Sequence, residues 1–195
     1  MKKLLLLAGI ALFSLTSNAQ EENKGLEGTW WAAGQLSFGS TDNGTVKTTS
    51  NAIIPVVGYF VAPTTTIGLG VGVINGKEET TLAGTTTTTG ETSAFIIQPL
   101  VRKYWGIGGK FFLYGQASLP MTFGKDKISD DKTTSIGVDL APGFDFIVNK
   151  WMTVETSFSL VNFTTSTIDP KVGDKTTNVS FNANPFDLTG SRSVG

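Results

Sequence analysis

The chain has 195 residues, no cysteine, no histidine and a formal net charge of −1. That length suits one domain. The two missing residue types exclude disulfides, zinc sites built from Cys and His, and nucleophile–base pairs that need a histidine. We therefore expect a protein with no catalytic residues, no metal and no cofactor, and the charge balance gives no sign of a nucleic-acid partner.

The first nineteen residues have the layout of a secretory signal peptide. Two lysines precede an apolar run from Leu4 to Leu15, and a stretch of small residues ends at Ala19. An apolar run of about twelve residues is too short for a membrane helix, which needs ~20. The sequence therefore predicts a cleaved leader over residues 1–19 and one domain over 20–195, with a net charge of about −3 once both lysines are removed.

Short runs in which apolar and polar residues alternate predict an all-β protein. Between Ile136 and Phe146 the bulky apolar residues share one parity, while glycine, alanine and aspartate fill the other. No apolar stretch of ~18 residues follows the leader, so a protein that crosses a membrane with helices is excluded. The predicted strands cover residues 29–39, 51–61, 66–75, 93–104, 110–123, 134–147, 151–163 and 177–188.

A strand with one apolar face fits two architectures, a soluble sandwich with that face inward or a membrane barrel with that face outward. The other face of these strands is rich in small residues, for example at Gly68, Gly70 and Gly72. Small residues fit the crowded interior of a barrel better than a solvated surface, so we favour the barrel. The sequence thus predicts an eight-stranded antiparallel up-and-down transmembrane β-barrel.

The predicted connections alternate between long and short, as the loops and turns of outer-membrane barrels do. One long connection, Thr80 to Thr92, is threonine-rich and predicts a disordered or glycosylated tip, with a receptor-facing surface as the alternative. Another holds three aspartates among three lysines, which favours a self-neutralising loop over a Ca²⁺ site. The long connections are 40–50, 76–92, 124–133 and 164–176, and the short ones are 62–65, 105–109 and 148–150. The aspartates are Asp126, Asp130 and Asp131.

Four prolines recur at a nearly constant interval. Pro55, Pro99, Pro142 and Pro185 lie 44, 43 and 43 residues apart, one in each strand that would descend toward the periplasm. The spacing indicates a repeated hairpin unit. Because proline has no N–H to donate, we predict bulges or missing ladder bonds near these positions, close to the periplasmic rim.

Aromatic residues cluster where the predicted strands meet the short connections. Aromatic rings favour the boundary between membrane and water, so a ring of them predicts the periplasmic girdle of a barrel. The alternative is that aromatic residues simply begin strands, as in any β protein. The predicted periplasmic girdle comprises Trp30, Trp31, Tyr59, Phe60, Tyr104, Trp105, Phe146 and Trp151, and an outer girdle comprises Phe38, Phe95, Phe123 and Phe163.

Charged and amide side chains fall on the parity assigned to the barrel interior. An eight-stranded barrel is just wide enough to be filled by side chains, and an unpaired charge there is costly. We therefore favour a paired, hydrogen-bonded plug over an ion path lined by the same residues. The predicted lumen network comprises Arg102, Asp139, Asp145, Glu155, Gln98 and Gln116.

Two descending segments carry short motifs, Ile54-Pro55-Val56-Val57-Gly58-Tyr59-Phe60 and Pro99-Leu100-Val101-Arg102-Lys103-Tyr104. They resemble the small outer-membrane β-barrel proteins of Bacteroidetes-type bacteria, which share the architecture of the OmpX and OmpA barrels. Such barrels finish in a strand whose last residue is aromatic, whereas this sequence ends in Ser193-Val194-Gly195. Either the last strand is 177–188 followed by a tail, or the native sequence runs on.

The preferred function is a non-catalytic outer-membrane β-barrel with a structural or surface-interaction role, in the outer membrane of a Gram-negative bacterium. The alternatives are a narrow porin-like pore for ions or small solutes and a secreted soluble β-barrel that binds a small apolar ligand. The resemblance implies outer-membrane lipid, the barrel-assembly machinery and periplasmic chaperones as partners, with extracellular ligands at the long loops.

Overall fold

The computed structural model describes residues 12–16, 25–149 and 152–183, with only the backbone described for 12–16. These residues form eleven β-strands in one antiparallel sheet, which confirms the predicted all-β antiparallel class. None of them belongs to a helix long and apolar enough to cross a membrane. The strands are β1 (Leu12–Thr16), β2 (Trp30–Asp42), β3 (Val46–Ala62), β4 (Thr65–Leu82), β5 (Thr85–Gly108), β6 (Phe111–Ser118), β7 (Met121–Asp126), β8 (Lys132–Asn149), β9 (Met152–Ser157), β10 (Val161–Asp169) and β11 (Thr176–Asn182).

Strands that follow one another in the chain pair side by side from β2 to β5, as expected for an up-and-down order. Strands β6 and β7 are two halves of one strand path, since both pair with β5 on one side and with β8 on the other. Strands β9 and β10 likewise lie end to end along β8. Each of the eight predicted strands has a counterpart, although residues 184–188 of the last one lie outside the described residues.

Strand β1 lies within the predicted signal peptide, most of which falls outside the described residues. It pairs antiparallel with β2, where Leu15 is opposite Ala32. On its other side it pairs antiparallel with β9, where Leu12 is opposite Glu155. Strand β1 therefore lies between the start of β2 and the start of the β9–β10 path.

Most of the strands are longer than predicted, and the connections between the described strands are shorter. At one end of the sheet, which we call the loop end, the turns span 43–45, 83–84, 127–131 and 170–175; at the other, the turn end, they span 63–64 and 109–110. The predicted lengths of the long loops are wrong, but the turns at the loop end are still as long as, or longer than, the two-residue turns described at the turn end. Threonine is β-branched and keeps strand geometry even where apolar alternation has stopped, so the polar segments continue the ladder.

The threonine-rich segment from Thr80 to Thr92 is a hairpin, so the prediction of a disordered tip is also wrong. Ala83 and Gly84 have φ values of 48° and 80° and form a two-residue turn of the kind that joins paired strands. Behind the turn, threonine hydroxyls meet across the two strands. Their oxygens are 3.2 Å apart for Thr80 and Thr89 and 2.9 Å apart for Thr81 and Thr86.

The prolines interrupt the ladder as predicted, but they do so near the middle of their strands and not at a rim. Strand β3 makes no ladder pair with β4 at Pro55. Pro99 lies opposite the break between β6 and β7, and Pro142 lies opposite the break between β9 and β10. The fourth, Pro185, lies outside the described residues.

The sheet buries the face that carries small, aromatic and polar residues and exposes the face that carries the alternating aliphatic residues. On β8, for example, Leu140 and Phe144 are exposed whereas Ala141 and Asp145 are buried. We call the exposed set the apolar belt. It comprises Ile53, Val57, Val61, Ile67, Leu69, Val71, Val73, Val101, Ile136, Val138, Leu140, Phe144, Phe146 and Val154, together with the outer-girdle residues Phe95, Phe123 and Phe163.

Candidate interior polar site

An ion pair lies at the centre of the buried face. Arg102 is on β5 and Glu155 is on β9, two strands that do not pair with each other. Nη1 of Arg102 donates to both carboxylate oxygens of Glu155, at 2.8 and 2.9 Å, and each residue is only 3 % exposed. The ion pair therefore joins two separate parts of the sheet through its interior.

The rest of the Arg102 guanidinium is also engaged. Its Nε and Nη2 donate to Oε1 of Gln116, at 3.1 and 2.8 Å, and Nη1 donates to the Tyr104 hydroxyl at 2.9 Å. The guanidinium carbon lies 4.2 Å from the centre of the Tyr114 ring and 4.9 Å from that of the Trp31 ring. Such ring contacts stabilise a cation electrostatically, so polar groups and π faces together replace its water shell.

Two glycines make room for the rings that surround Arg102. Trp31 is paired across the ladder with Gly58, and Tyr114 is paired with Gly143. A Cβ at Gly58 would lie 2.2 Å from the Trp31 indole, and one at Gly143 would lie 2.3 Å from the Tyr114 ring. The rings therefore lie over backbone that has no side chain. Nε1 of Trp31 then donates to Oγ1 of Thr66 at 2.6 Å, which fixes the indole in the interior.

A second buried carboxylate adjoins the ion pair. Asp145 is the cross-strand partner of Glu155, and its Oδ1 is buried without a hydrogen-bond partner. The Thr153 hydroxyl, also on β9, is buried and unpartnered in the same way. Two carboxyl groups, those of Glu155 and Asp145, thus lie beside a single guanidinium.

The six residues predicted to line the lumen divide into two groups. Arg102, Gln116 and Glu155 form one hydrogen-bonded network, with Asp145 beside it. The other two lie apart from it: Nε2 of Gln98 donates to Oγ of Ser118 at 3.1 Å, and half-buried Asp139 accepts a 2.5 Å hydrogen bond from Oγ of Ser159.

The predicted periplasmic girdle needs correction. Trp31, Phe60 and Tyr104 are buried on the inner face, whereas Trp30 and Trp105 are 58 % and 52 % exposed. The error has a simple cause: neighbouring residues of a strand point to opposite faces, so adjacent aromatic residues cannot both face outward. Tyr59 is partly exposed and packs on Trp30, with ring centroids 5.0 Å apart. Phe146 packs on Phe111 at 4.7 Å, and Trp151 lies outside the described residues.

Strand parity also identifies the residues that the sequence reasoning missed. Tyr104 lies two positions from Arg102 on β5, and Tyr114 lies two positions from Gln116 on β6. Residues two apart on a strand share a face, so each tyrosine had to join its polar neighbour inside. No comparable signal identified Thr66, whose role follows from the position of Trp31.

The aspartate-rich turn at the loop end is held by local contacts. Nζ of Lys125 and Nζ of Lys171 lie 2.5 and 3.0 Å from the carboxylate oxygens of Asp130. Oδ1 of Asp126 accepts hydrogen bonds from the backbone N–H groups of Ile128 and Ser129. Within the described ranges, no three acidic side chains come together in a way that would hold a metal ion.

Comparison of the chain with protein-family models, with curated protein sequences and with solved structures finds no match.

Proposed function

We propose that this chain is a secreted outer-membrane protein: residues 1–19 are a signal peptide, and the rest is a membrane-spanning β-barrel whose interior is plugged by side chains. The observation that carries the proposal is the reversed distribution of polarity. A soluble sheet places its aliphatic face inward, whereas here the aliphatic residues form the apolar belt and charged residues are buried. Lipid is the environment in which that arrangement is stable.

The height of the apolar belt fits a membrane. On β8 the belt runs from Ile136 to Phe146, ten residues apart. At a rise of about 3.3 Å per residue this is about 33 Å of strand. A tilt of about 40–45° reduces it to about 23–25 Å, the height of the apolar band on outer-membrane barrels.

Aromatic residues flank the apolar belt at the turn end, and polar residues flank it at the loop end. Trp30 and Trp105 are exposed at the turn end, where an interfacial girdle would lie. Toward the loop end the strands become polar on both faces, as in the segment from Lys77 to Thr81 of β4. We place the loop end outside the cell and the turn end in the periplasm, since outer-membrane barrels have their shorter turns on the periplasmic side.

Closure of the sheet into a barrel is part of the proposal, because a sheet edge in hydrocarbon leaves backbone groups without partners. Three pairings bring the two ends of the sheet together at the turn end: β9 pairs with β8 and with β1, and β1, which lies within the proposed signal peptide, pairs with β2. The contact between Arg102 and Glu155 across the interior gives independent support, because it requires the sheet to curl.

We propose a structural or surface-interaction role without catalysis. The chain has neither histidine nor cysteine, and the guanidinium of Arg102 is occupied by its own neighbours. Outer-membrane lipid is then the principal partner, with the assembly machinery and periplasmic chaperones acting before insertion. Any extracellular ligand would meet the polar hairpins of the loop end, where binding residues commonly lie.

The proposal is tested by refolding residues 20–195 from urea into phosphatidylcholine vesicles. We expect the protein to float with the vesicles and to migrate differently on a detergent gel before and after boiling.

In vesicles, Leu140→Arg in the belt should lower the free energy of unfolding by about 2–4 kcal/mol, as charge at the membrane midplane does. The matched control is Thr134→Arg, on the same strand and face near the loop end, which should have a much smaller effect. A chain that stays soluble and monomeric without lipid would contradict the proposal.

A narrow pore is the second candidate, favoured by a second buried carboxyl group, that of Asp145, beside Glu155. Planar-bilayer recording distinguishes the plugged barrel from the narrow pore. A plugged barrel gives no stable steps, whereas nanosiemens-scale steps would favour the pore.

A further inference from the structure

A cavity lies against the inner face of the sheet at the loop end. Its volume is about 360 Å³, within the range of small-molecule sites. Four neighbouring strands form its wall, since β5 pairs with β7, β7 with β8 and β8 with β10. The cavity is a cleft that is partly open to solvent. Its wall comprises Thr92, Ala94, Thr122, Gly124, Thr133 and Ile168.

The wall belongs to the buried face and not to the apolar belt. Thr122 is the cross-strand partner of Ile96, which is only 6 % exposed. Cross-strand partners share a face, and so do residues two apart on one strand. Ala94 and Gly124 therefore lie on that same inner face, whereas Phe95 between Ala94 and Ile96 is exposed on the outer one.

A row of small side chains leaves the space open. Ala94, Gly124 and Thr133 are successive cross-strand partners. A Cβ at Gly124 would lie 3.3 Å from the Ala94 Cβ and 3.8 Å from the Thr133 Cβ. A larger residue in this row would project from the wall into the cavity. The volume therefore depends on the small residues at the centre of the row.

Buried side chains separate the cavity from the ion pair of Arg102. Ala94 and Arg102 are eight residues apart on β5, which is about 26 Å of strand at 3.3 Å per residue. Ile96 and Leu100 lie between them and are both 6 % exposed. A ligand that enters from the loop end would therefore leave the plug in place.

The wall offers hydroxyl groups that have no partner in the part of the chain that the structure describes. The hydroxyls of Thr92, Thr122 and Thr133 make no hydrogen bond there, unlike those of Thr80 and Thr81, which meet other threonines across the β4–β5 hairpin. A hydroxyl both donates and accepts hydrogen bonds, and the threonine methyl group adds apolar contact. The wall thus suits a ligand that carries hydroxyl groups on a carbon framework.

The charged side chains at the mouth of the cavity are already engaged with one another and with the backbone. Asp126 and Asp131 both line the cavity. Oδ1 of Asp126 accepts two backbone N–H groups, and Oδ1 of Asp131 accepts the backbone N–H of Lys171 at 3.0 Å. Lys125, also at the cavity, forms an ion pair with Asp130. An uncharged ligand therefore matches the site better than a cation or an anion.

We propose that this cavity binds an uncharged sugar unit, whose hydroxyls pair with Thr92, Thr122 and Thr133 and whose carbon framework packs against Ala94 and Ile168. The inference deepens the proposed function and rests on it for one point, that the mouth of the cavity faces the outside of the cell. A free sugar and the chain end of a surface polysaccharide present the same unit, so both are included in the test.

NMR of the threonine methyl groups tests the site. Residues 20–195 with carbon-13 in these methyl groups are refolded into detergent micelles and titrated with glucose, galactose, maltose and dextran, and with putrescine as a cationic probe. We expect a sugar to shift the signals of Thr92, Thr122 and Thr133 in a saturable way and to leave Thr80 and Thr81 unmoved. A response to dextran as well as to maltose would identify chain ends as ligands, whereas a response to the small sugars alone would identify free sugars.

Thr133→Val removes one hydroxyl of the wall and keeps the shape of the side chain. We expect it to weaken the binding of that sugar about 3–10-fold, as the loss of one hydrogen bond does. The matched control is Thr134→Val, the next residue on β8, which is exposed on the outer face and should leave the affinity unchanged. Equal effects of the two substitutions would overturn the assigned wall.

Two further outcomes would overturn the inference and leave the membrane proposal intact: no saturable shift with any of the sugars, or shifts with putrescine alone. A chain that binds a sugar in micelles but does not float with phosphatidylcholine vesicles would instead overturn the proposed function, and with it the outward position of the cavity.

Discussion

Arg102 and Glu155 are 53 residues apart in the chain and lie on strands that do not pair, yet their charged groups meet at 2.8 Å in the interior. Backbone ladder bonds connect only neighbouring strands. The ion pair therefore adds a link across the sheet that the ladder cannot provide. Because the side chains of both residues are almost fully buried, the stability of the interior depends on each charge keeping its partner.

We expect Glu155→Gln to lower the free energy of unfolding by about 3–5 kcal/mol, the usual cost of breaking a buried ion pair from one side. The substitution keeps the size of the side chain and leaves the Arg102 charge unneutralised by its partner. Urea unfolding in vesicles, followed by tryptophan fluorescence, measures the effect. The control is Glu79→Gln, which breaks the exposed Lys77–Glu79 pair and should change little.

The double variant Arg102→Met with Glu155→Leu distinguishes the effect of losing a charge partner from the effect of losing side-chain packing. Removing both members of the ion pair together should recover much of the stability that Glu155→Gln loses, because the Arg102 guanidinium is no longer buried without its partner, although the Asp145 carboxyl group stays buried. A double variant that is as unstable as the single one would show that packing around the guanidinium, and not its charge, dominates.

Asp145→Asn should behave in the opposite way from Glu155→Gln, although both replace an acid by its amide. Asp145 Oδ1 has no hydrogen-bond partner, and its cross-strand neighbour is the like-charged Glu155. Replacing the carboxyl group relieves the repulsion from Glu155, although the amide still leaves a buried polar atom without a partner, so we expect unfolding stability to stay the same or rise by about 1 kcal/mol. Parallel urea titrations of the two variants make the comparison. Equal losses from both would contradict the assigned partners.

Gly58→Ala tests the close packing of Trp31 over bare backbone. The added Cβ would lie 2.2 Å from the indole, which is rigid and held by its hydrogen bond to Thr66. We expect a loss of about 1–3 kcal/mol in unfolding stability, as for other overpacked interiors, together with a shift of the tryptophan emission. Gly34→Ala is the matched control in the neighbouring strand, because its Cβ would meet nothing within 4 Å. If the two substitutions have equal effects, the contact is not the cause.

The strands could be predicted from sequence because a period of two is a local property. The neighbours of each β8 residue indicate which face of the sheet it occupies, and each of the eight predicted segments contains a strand among its described residues. The same rule puts the neighbours Trp30 and Trp31 on opposite faces, so the predicted girdle, which includes both, does not follow from it. The continuation of the strands into the polar segments could not be predicted for another reason. The threonines there favour strand geometry, but no alternating apolar pattern marks them.

The interior site was only partly predictable. Parity placed Arg102 and Glu155 on one face, but which side chains meet depends on how the sheet curls and on the stagger between strands. Nothing local indicates that Arg102 lies beside Glu155 while Asp139 bonds to Ser159. The break at Leu119 and Pro120, which divides one predicted strand into β6 and β7, did have a local signal, because Pro120 has no N–H to donate to the ladder.

The aspartate turn at the loop end should titrate at unusually low pH. Hydrogen bonds and charge attraction from Lys125 and Lys171 lower the pKa of Asp130 from 3.8 to about 2. A lowered pKa stabilises the folded turn above pH 3.8, and that contribution disappears as the pH falls toward 2. Carbon-13 NMR of the carboxyl group in detergent micelles should give a midpoint of about 2 for Asp130.

Removing either lysine should move that midpoint upward. We expect Lys171→Ala to raise the pKa of Asp130 toward 3.8, and added salt to raise it in the same direction by screening both lysines. Lys103→Ala is the control, because that lysine bonds to Thr64 and Thr65 at the turn end, far from Asp130. A wild-type midpoint near 3.8, unmoved by Lys171→Ala, would show that the lysines do not hold the turn in solution. The turn would then be ordered mainly by the backbone hydrogen bonds to Asp126, which neither lysine variant removes.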